Sequence, residues 1–185
     1  MTRVELISRD AISQLAKIEP EMQRNQGMMR RCEILLVARM AQTADLFISL
    51  GCGPHGCDMM EARYIKPTLQ IAGFERQPAQ LDFSKHNIEY HQTDIFDPAT
   101  VEQIKQLIQL PGRCLVYTDN GNKRKELQLV APLLKSGDVV GAHDYPNEVP
   151  EAWAAAFMQQ DFDVCQDAES WIEMHLCWQR FWVRH

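Results

Sequence analysis

Residues 43–63, TADLFISLGCGPHGCDMMEAR, constrain this chain more than any other stretch, because an apolar run stops at glycines and then becomes a helix-forming segment. The order is strand, tight turn, helix. Gly51, Gly53 and Gly56 give G-x-G-x-x-G, a spacing that lets the backbone turn sharply, admit a ligand close to the main chain and pack the following helix on the strand. A second apolar run, 69–74, ends in Glu75, and a carboxylate at the tip of the next strand can accept hydrogen bonds from both hydroxyls of a ribose. The alternative is a plain glycine turn with a surface glutamate nearby.

Beyond Glu75 the pattern continues. Residues 88–91 read as a strand, 100–110 as a helix with Val101, Ile104, Leu107 and Ile108 on one side, 113–119 as a strand ending in Asp119, 123–134 as a helix closed by Ser136-Gly137, and 138–142 as a strand running into His143-Asp144. Alternation of this kind predicts a three-layer α/β fold with a mainly parallel sheet. Residues 149–160 look helical. Residues 162–165 and 176–183 look like strands with no evident helix between them, which predicts an antiparallel hairpin at the sheet edge. Before the first strand, Val4, Ile7, Ala11, Leu15 and Ile18 mark an amphipathic helix, and a second is expected over 28–41. These helices cap the sheet, cover the site or mediate self-association, so a homo-oligomer stays open. The whole of 1–185 reads as a single domain, with N-terminal helices in 1–42 and an α/β core in 43–185.

With 45% hydrophobic and 24% charged residues among 185, the chain has the profile of a globular protein with a substantial core. A formal charge of -6 argues against general nucleic-acid binding, which needs a basic surface, and is compatible with a small-molecule substrate. The six cysteines form no C-x-x-C pair and follow no secretory leader, which predicts reduced thiols in a cytoplasmic protein. No apolar stretch approaches a bilayer span, so no membrane association is expected.

In open α/β sheets ligands bind outside the carboxyl ends of the strands. The predicted strand ends carry Gly51 to Gly56, Glu75, Gln92-Thr93-Asp94, Asp119-Asn120 and His143-Asp144. With SLGCGPHG, GFE and QTDIFD at those places, residues 45–144 resemble the class I S-adenosylmethionine-dependent methyltransferases, which implies a Rossmann-like fold. The resemblance implies that Gly51, Gly53 and Gly56 line the methionine part of the cofactor, that Glu75 takes the ribose and that Asp94 lies near the adenine amino group. One departure stands out: the family usually has an acid two residues before the first glycine, and this chain has Ser49, so the contact to the cofactor's ammonium passes to Asp119 or is weakened. The stretch VYTDNGNKRKELQLVAPLLKSGDVVGAHD is also similar to small methyltransferase-like proteins of carbohydrate or secondary-metabolite pathways. Transfer to oxygen on a small molecule is the expected activity. The rivals are an NAD(P)-binding oxidoreductase and a non-catalytic ligand-binding protein with a degenerate methyltransferase fold.

Asp119, His143 and Asp144 end two strands that should be neighbours. Two carboxylates and an imidazole can hold Mg²⁺ or Mn²⁺, and the arrangement loosely resembles catechol-type methyltransferases, although their usual Asp-Asn pair is His-Asp here. Without a metal, His143 becomes a candidate general base beside Asp119, since a free imidazole titrates near ~6.5. The structural alternative has His143 and Asp144 capping a loop. Lys123-Arg124-Lys125 reads as a solvated helix face bordering the cleft, and His55 as a loop side chain turned to solvent.

Overall fold

The computed structural model describes residues 29–185, so the apolar pattern of residues 4–18 lies outside it. One sheet organises the chain: β1 (Leu46–Leu50), β2 (Gln70–Glu75), β3 (Glu89–Gln92), β4 (Cys114–Thr118), β5 (Val139–His143), β6 (Phe162–Val164) and β7 (Gln179–Arg184), in the order β3-β2-β1-β4-β5-β7-β6. Strands β1 to β5 pair in parallel, and only β7 runs against its neighbours, β5 and β6. The helices are α1 (Arg31–Ala41), α2 (Cys57–Ile65), α3 (Pro98–Ile108), α4 (Lys123–Val130), α5 (Glu151–Met158) and α6 (Gln166–His175).

The strand LFISL shows why three layers form. All five of its residues are buried, as a central parallel strand requires. Leu46, Ile48 and Leu50 pack on one face with Ile104 and Ile108 of α3, Leu127 of α4 and Met158 of α5. Phe47 turns to the other face and meets Leu36 and Val37 of α1, Met59 of α2 and Ala168 of α6. Each such side chain contributes about 1.5–3 kcal/mol by leaving water.

Local chemistry explains where elements begin and end. Helix α3 starts at Pro98 because the Asp97 side chain accepts the Ala99 N–H at 2.9 Å and proline needs no donor in the first turn. Helix α4 gives way after Val130 to a 3₁₀ turn, Ala131–Leu133, where Pro132 cannot continue the ladder. The antiparallel C-terminal strands are present, and their connection contains a helix, α6, that sequence periodicity did not reveal. Ala168 is its one buried residue, so its apolar stripe is too thin to read.

The chain builds β1, β2 and β3 outward in one direction and then crosses back to place β4 on the other side of β1. Strand order therefore reverses between β1 and β4, which opens a crevice beyond their carboxyl ends. Gly51 sits at this point with φ +82°, and a Cβ there would lie 2.5 Å from the Asp119 carbonyl oxygen. Only glycine lets the two strand ends approach so closely.

Candidate functional site

A cavity of about 450 Å³ opens at the crevice. Its lining includes the loop after β1, with Gly51, Gly53 and His55, and three acids: Asp58, Glu75 and Asp119. Among the described residues that line it, none is a lysine or arginine. Glu75 fastens the glycine loop to the tip of β2: its Oε2 accepts the Gly53 N–H at 3.0 Å, and its Oε1 accepts those of Arg76 and Gln77 at 2.8 and 3.1 Å.

Ser49, where an acid was expected, donates from Oγ to Asp58 Oδ2 at 2.5 Å. Asp58 lies in the first turn of α2 and is buried, so a carboxylate reaches the strand end from across the turn instead of from the strand. Burial pushes its carboxyl up to about 6, against the pull of the Ser49 hydrogen bond. Nine residues separate the partners, a spacing with no local signature.

Beside the cavity, the ends of β4 and β5 form a second, denser cluster. His143 Nδ1 stands 3.2 Å from Asp119 Oδ1 and 3.4 Å from Asp144 Oδ2, while its Nε2 stands 3.4 Å from Glu33 Oε2 of α1. Asp144 turns back toward the cluster through a left-handed conformation, φ +55°. Lys123 Nζ meets Asp119, Asp144 and Glu148 at 3.1, 3.0 and 3.3 Å. Burial alone would lower the His143 imidazole, but Asp119 and Glu33, with Asp144 behind them, push it up to about 10. Burial would raise Glu33, yet His143, Arg30 and backbone N–H groups of Trp178 and Arg30 hold it well below the usual carboxylate range.

These facts revise several readings from sequence. Acids at both nitrogens of His143 favour its imidazolium form, a donor and a positive charge, over the free lone pair that a general base or a metal ligand uses. Asp119, His143 and Asp144 do converge, with ligand atoms within 4.8 Å of one another. Two acids and an imidazole suit a hard divalent ion, but in this arrangement Lys123 and His143 already face the oxygens it would use. Lys123 is no solvated lysine: its side chain is 3% exposed. Asp94 is outside the cavity lining; it pairs with Arg76 at 2.6 Å on the surface, and its other oxygen accepts the Phe96 N–H. His55 lines the cavity instead of pointing away from it. Asp58, Glu33 and Glu148 carry no sequence motif that marks them, and Lys123 reads there as part of a solvated helix face. A charged residue within the apolar CEILLV run was the one available hint of Glu33.

No protein-family model matches this sequence, and no curated protein matches it. Solved structures do. A methyltransferase from Geobacter sulfurreducens superposes with a TM-score of 0.62 at 12% identity, covering 98% of this chain and 93% of that one. An O-methyltransferase from Bacillus cereus in complex with SAH gives 0.59 at 10%, covering 98% and 94%. CmcI in a Mg-SAM form gives 0.61 at 16%, covering 100% and 88%. Identities this low establish fold, and the fold is that of the class I methyltransferases: a Rossmann-like, mostly parallel sheet with an antiparallel C-terminal strand pair.

Proposed function

We propose that this chain is an S-adenosylmethionine-dependent methyltransferase acting on a small molecule, at oxygen. The observation that carries the proposal is the cavity at the switch point, lined by Asp58, Glu75 and Asp119 with no lysine or arginine among its described lining residues. Such a surface favours a ligand bearing ammonium or sulfonium charge and opposes a pyrophosphate. A dinucleotide would also need the amino end of α2 for its phosphates, and Asp58 stands in that first turn. The oxidoreductase alternative thus loses its phosphate site. The solved structures that share the fold, an O-methyltransferase in complex with SAH and CmcI in a Mg-SAM form, support the same reading.

Bound there, S-adenosylmethionine supplies an electrophilic methyl group on a positively charged sulfur. The residues of the chain divide the rest of the work. Gly51 and Gly53 admit the ligand to the backbone, while Gly56, outside the lining and with φ +49°, leaves no room for a Cβ beside Met59 and Phe83 and lets α2 pack under the loop. Glu75 offers its remaining lone pairs to the ribose while it holds the loop, and Asp58, steadied by Ser49, faces the ammonium in place of the missing strand acid. Asp119 belongs to both the cavity and the cluster, so its carboxylate is placed to orient an acceptor hydroxyl. Asp94 takes no part in this assignment. Residues 1–185 act as one domain in the cytoplasm; among the described residues no helix is long and apolar enough to cross a membrane.

One observation favours a second reading, a non-catalytic binder: carboxylates face both nitrogens of His143, which favours its protonated form over a base. Calorimetric titration with S-adenosylhomocysteine and with NAD separates the classes. Binding of the first and not the second is expected, with a higher melting temperature by mass action; NAD binding, or no shift with S-adenosylhomocysteine, refutes the methyltransferase reading. Binding without turnover of any hydroxylated acceptor leaves the binder.

A further inference from the structure

We infer that Lys123 is the resident cation of the acid cluster at the ends of β4 and β5, and that a divalent ion reaches Asp119 and Asp144 only by displacing its ammonium. A lysine ammonium has three N–H donors and no lone pair. Asp144 accepts from it at 3.0 Å, and the carboxylates of Asp119 and Glu148 stand 3.1 and 3.3 Å away. The oxygens involved, Asp119 Oδ1 and Asp144 Oδ2, are the same ones that face His143. An ion such as Mg²⁺ sits about 2.0–2.1 Å from its oxygens and tolerates little distortion. It would occupy the space between Asp119 and Asp144 that the ammonium fills, and two positive centres at that separation repel strongly.

The lysine is built into this position. Glu126 accepts the N–H groups of Asn120 and Asn122 at 3.1 and 2.7 Å, which fixes the turn after β4 and aims the first residue of α4 inward. Arg124 and Lys125, the next residues, are exposed; Lys123 is buried. Buried among three carboxylates as a cation, Lys123 has no lone pair with which to abstract a proton. It is a positioning residue: it balances the cluster without a metal and holds Asp119, the acid that the cluster shares with the cavity.

The test is Mn²⁺ binding followed by electron paramagnetic resonance on chelator-treated protein, comparing wild type, Lys123→Met and Lys123→Arg. Lys123→Met should bind Mn²⁺ about tenfold more tightly than wild type or more, a shift of the size seen when a metal site's surroundings change, and Mn²⁺ should raise the melting temperature of that variant alone. Lys123→Arg keeps the charge and should bind as weakly as wild type. Equal affinity in wild type and Lys123→Met overturns the inference, as does absence of binding in both. Should Lys123→Met fail to fold, Lys123→Gln replaces it, and tight Mn²⁺ binding by wild type alone is sufficient to overturn it. The readout is independent of the methyltransferase reading, which S-adenosylhomocysteine tests separately.

Discussion

Two acid-rich regions lie side by side along one edge of the sheet, and they treat their charge in opposite ways. At the ends of β1 and β2, Asp58, Glu75 and Asp119 line a cavity with no lysine or arginine among its described lining residues. At the ends of β4 and β5, Glu33, Asp119, Asp144 and Glu148 surround Lys123 and His143, which offset part of their charge from within. Asp119 belongs to both. A region left electrostatically open is prepared for an incoming cation; a region closed by its own cations is prepared to hold its shape.

The largest effect is expected in the closed region. Glu33→Ala removes one acid from a buried imidazolium and orphans the Trp178 N–H, so it should cost about 3 kcal/mol of stability at neutral pH, the scale for breaking a buried ion pair. Urea denaturation measures it. A loss below about 0.5 kcal/mol, typical of surface pairs, would mean that the cluster is not closed.

An intermediate effect belongs to the open region and depends on pH. The Asp58 carboxyl is raised to about 6, by burial first and the like charge of Asp119 behind it, so the folded state binds more protons than the unfolded chain between about 4 and 6. Stability from this group therefore falls as pH rises through that window. Asp58→Asn should abolish a fall on the order of 2 kcal/mol, visible as a difference between the two proteins' stability-pH curves. Parallel curves would show Asp58 to be solvated. The closed region carries both signs: Glu33, depressed, behaves in the reverse sense and loses its contribution as pH falls below its ordinary range, whereas His143, raised, follows Asp58 in sense and loses its own as pH climbs from about 6.5 toward about 10.

The smallest effect marks the boundary of the open region. Asp94 pairs with Arg76 in solvent, so Asp94→Ala should change S-adenosylhomocysteine affinity and stability by no more than about 0.5 kcal/mol. A larger loss of affinity would return Asp94 to the ligand and redraw the cavity.

The sequence by itself determined the alternation of strands and helices, the glycine turn, and the acids at the strand tips. Those are local facts: an apolar run of five, a residue free to adopt positive φ, a carboxylate one step past a strand. It also indicated that Asp119, His143 and Asp144 would meet, because neighbouring parallel strands align their ends. Tertiary structure alone decided what they do on meeting. Ser49 and Asp58 join across a turn, Glu33 arrives from a helix 110 residues away from His143, and Lys123 folds inward from a helix start that reads as solvated. The charge state of each group depends on neighbours remote in sequence and on the loss of water around them, and neither of these is written in local pattern.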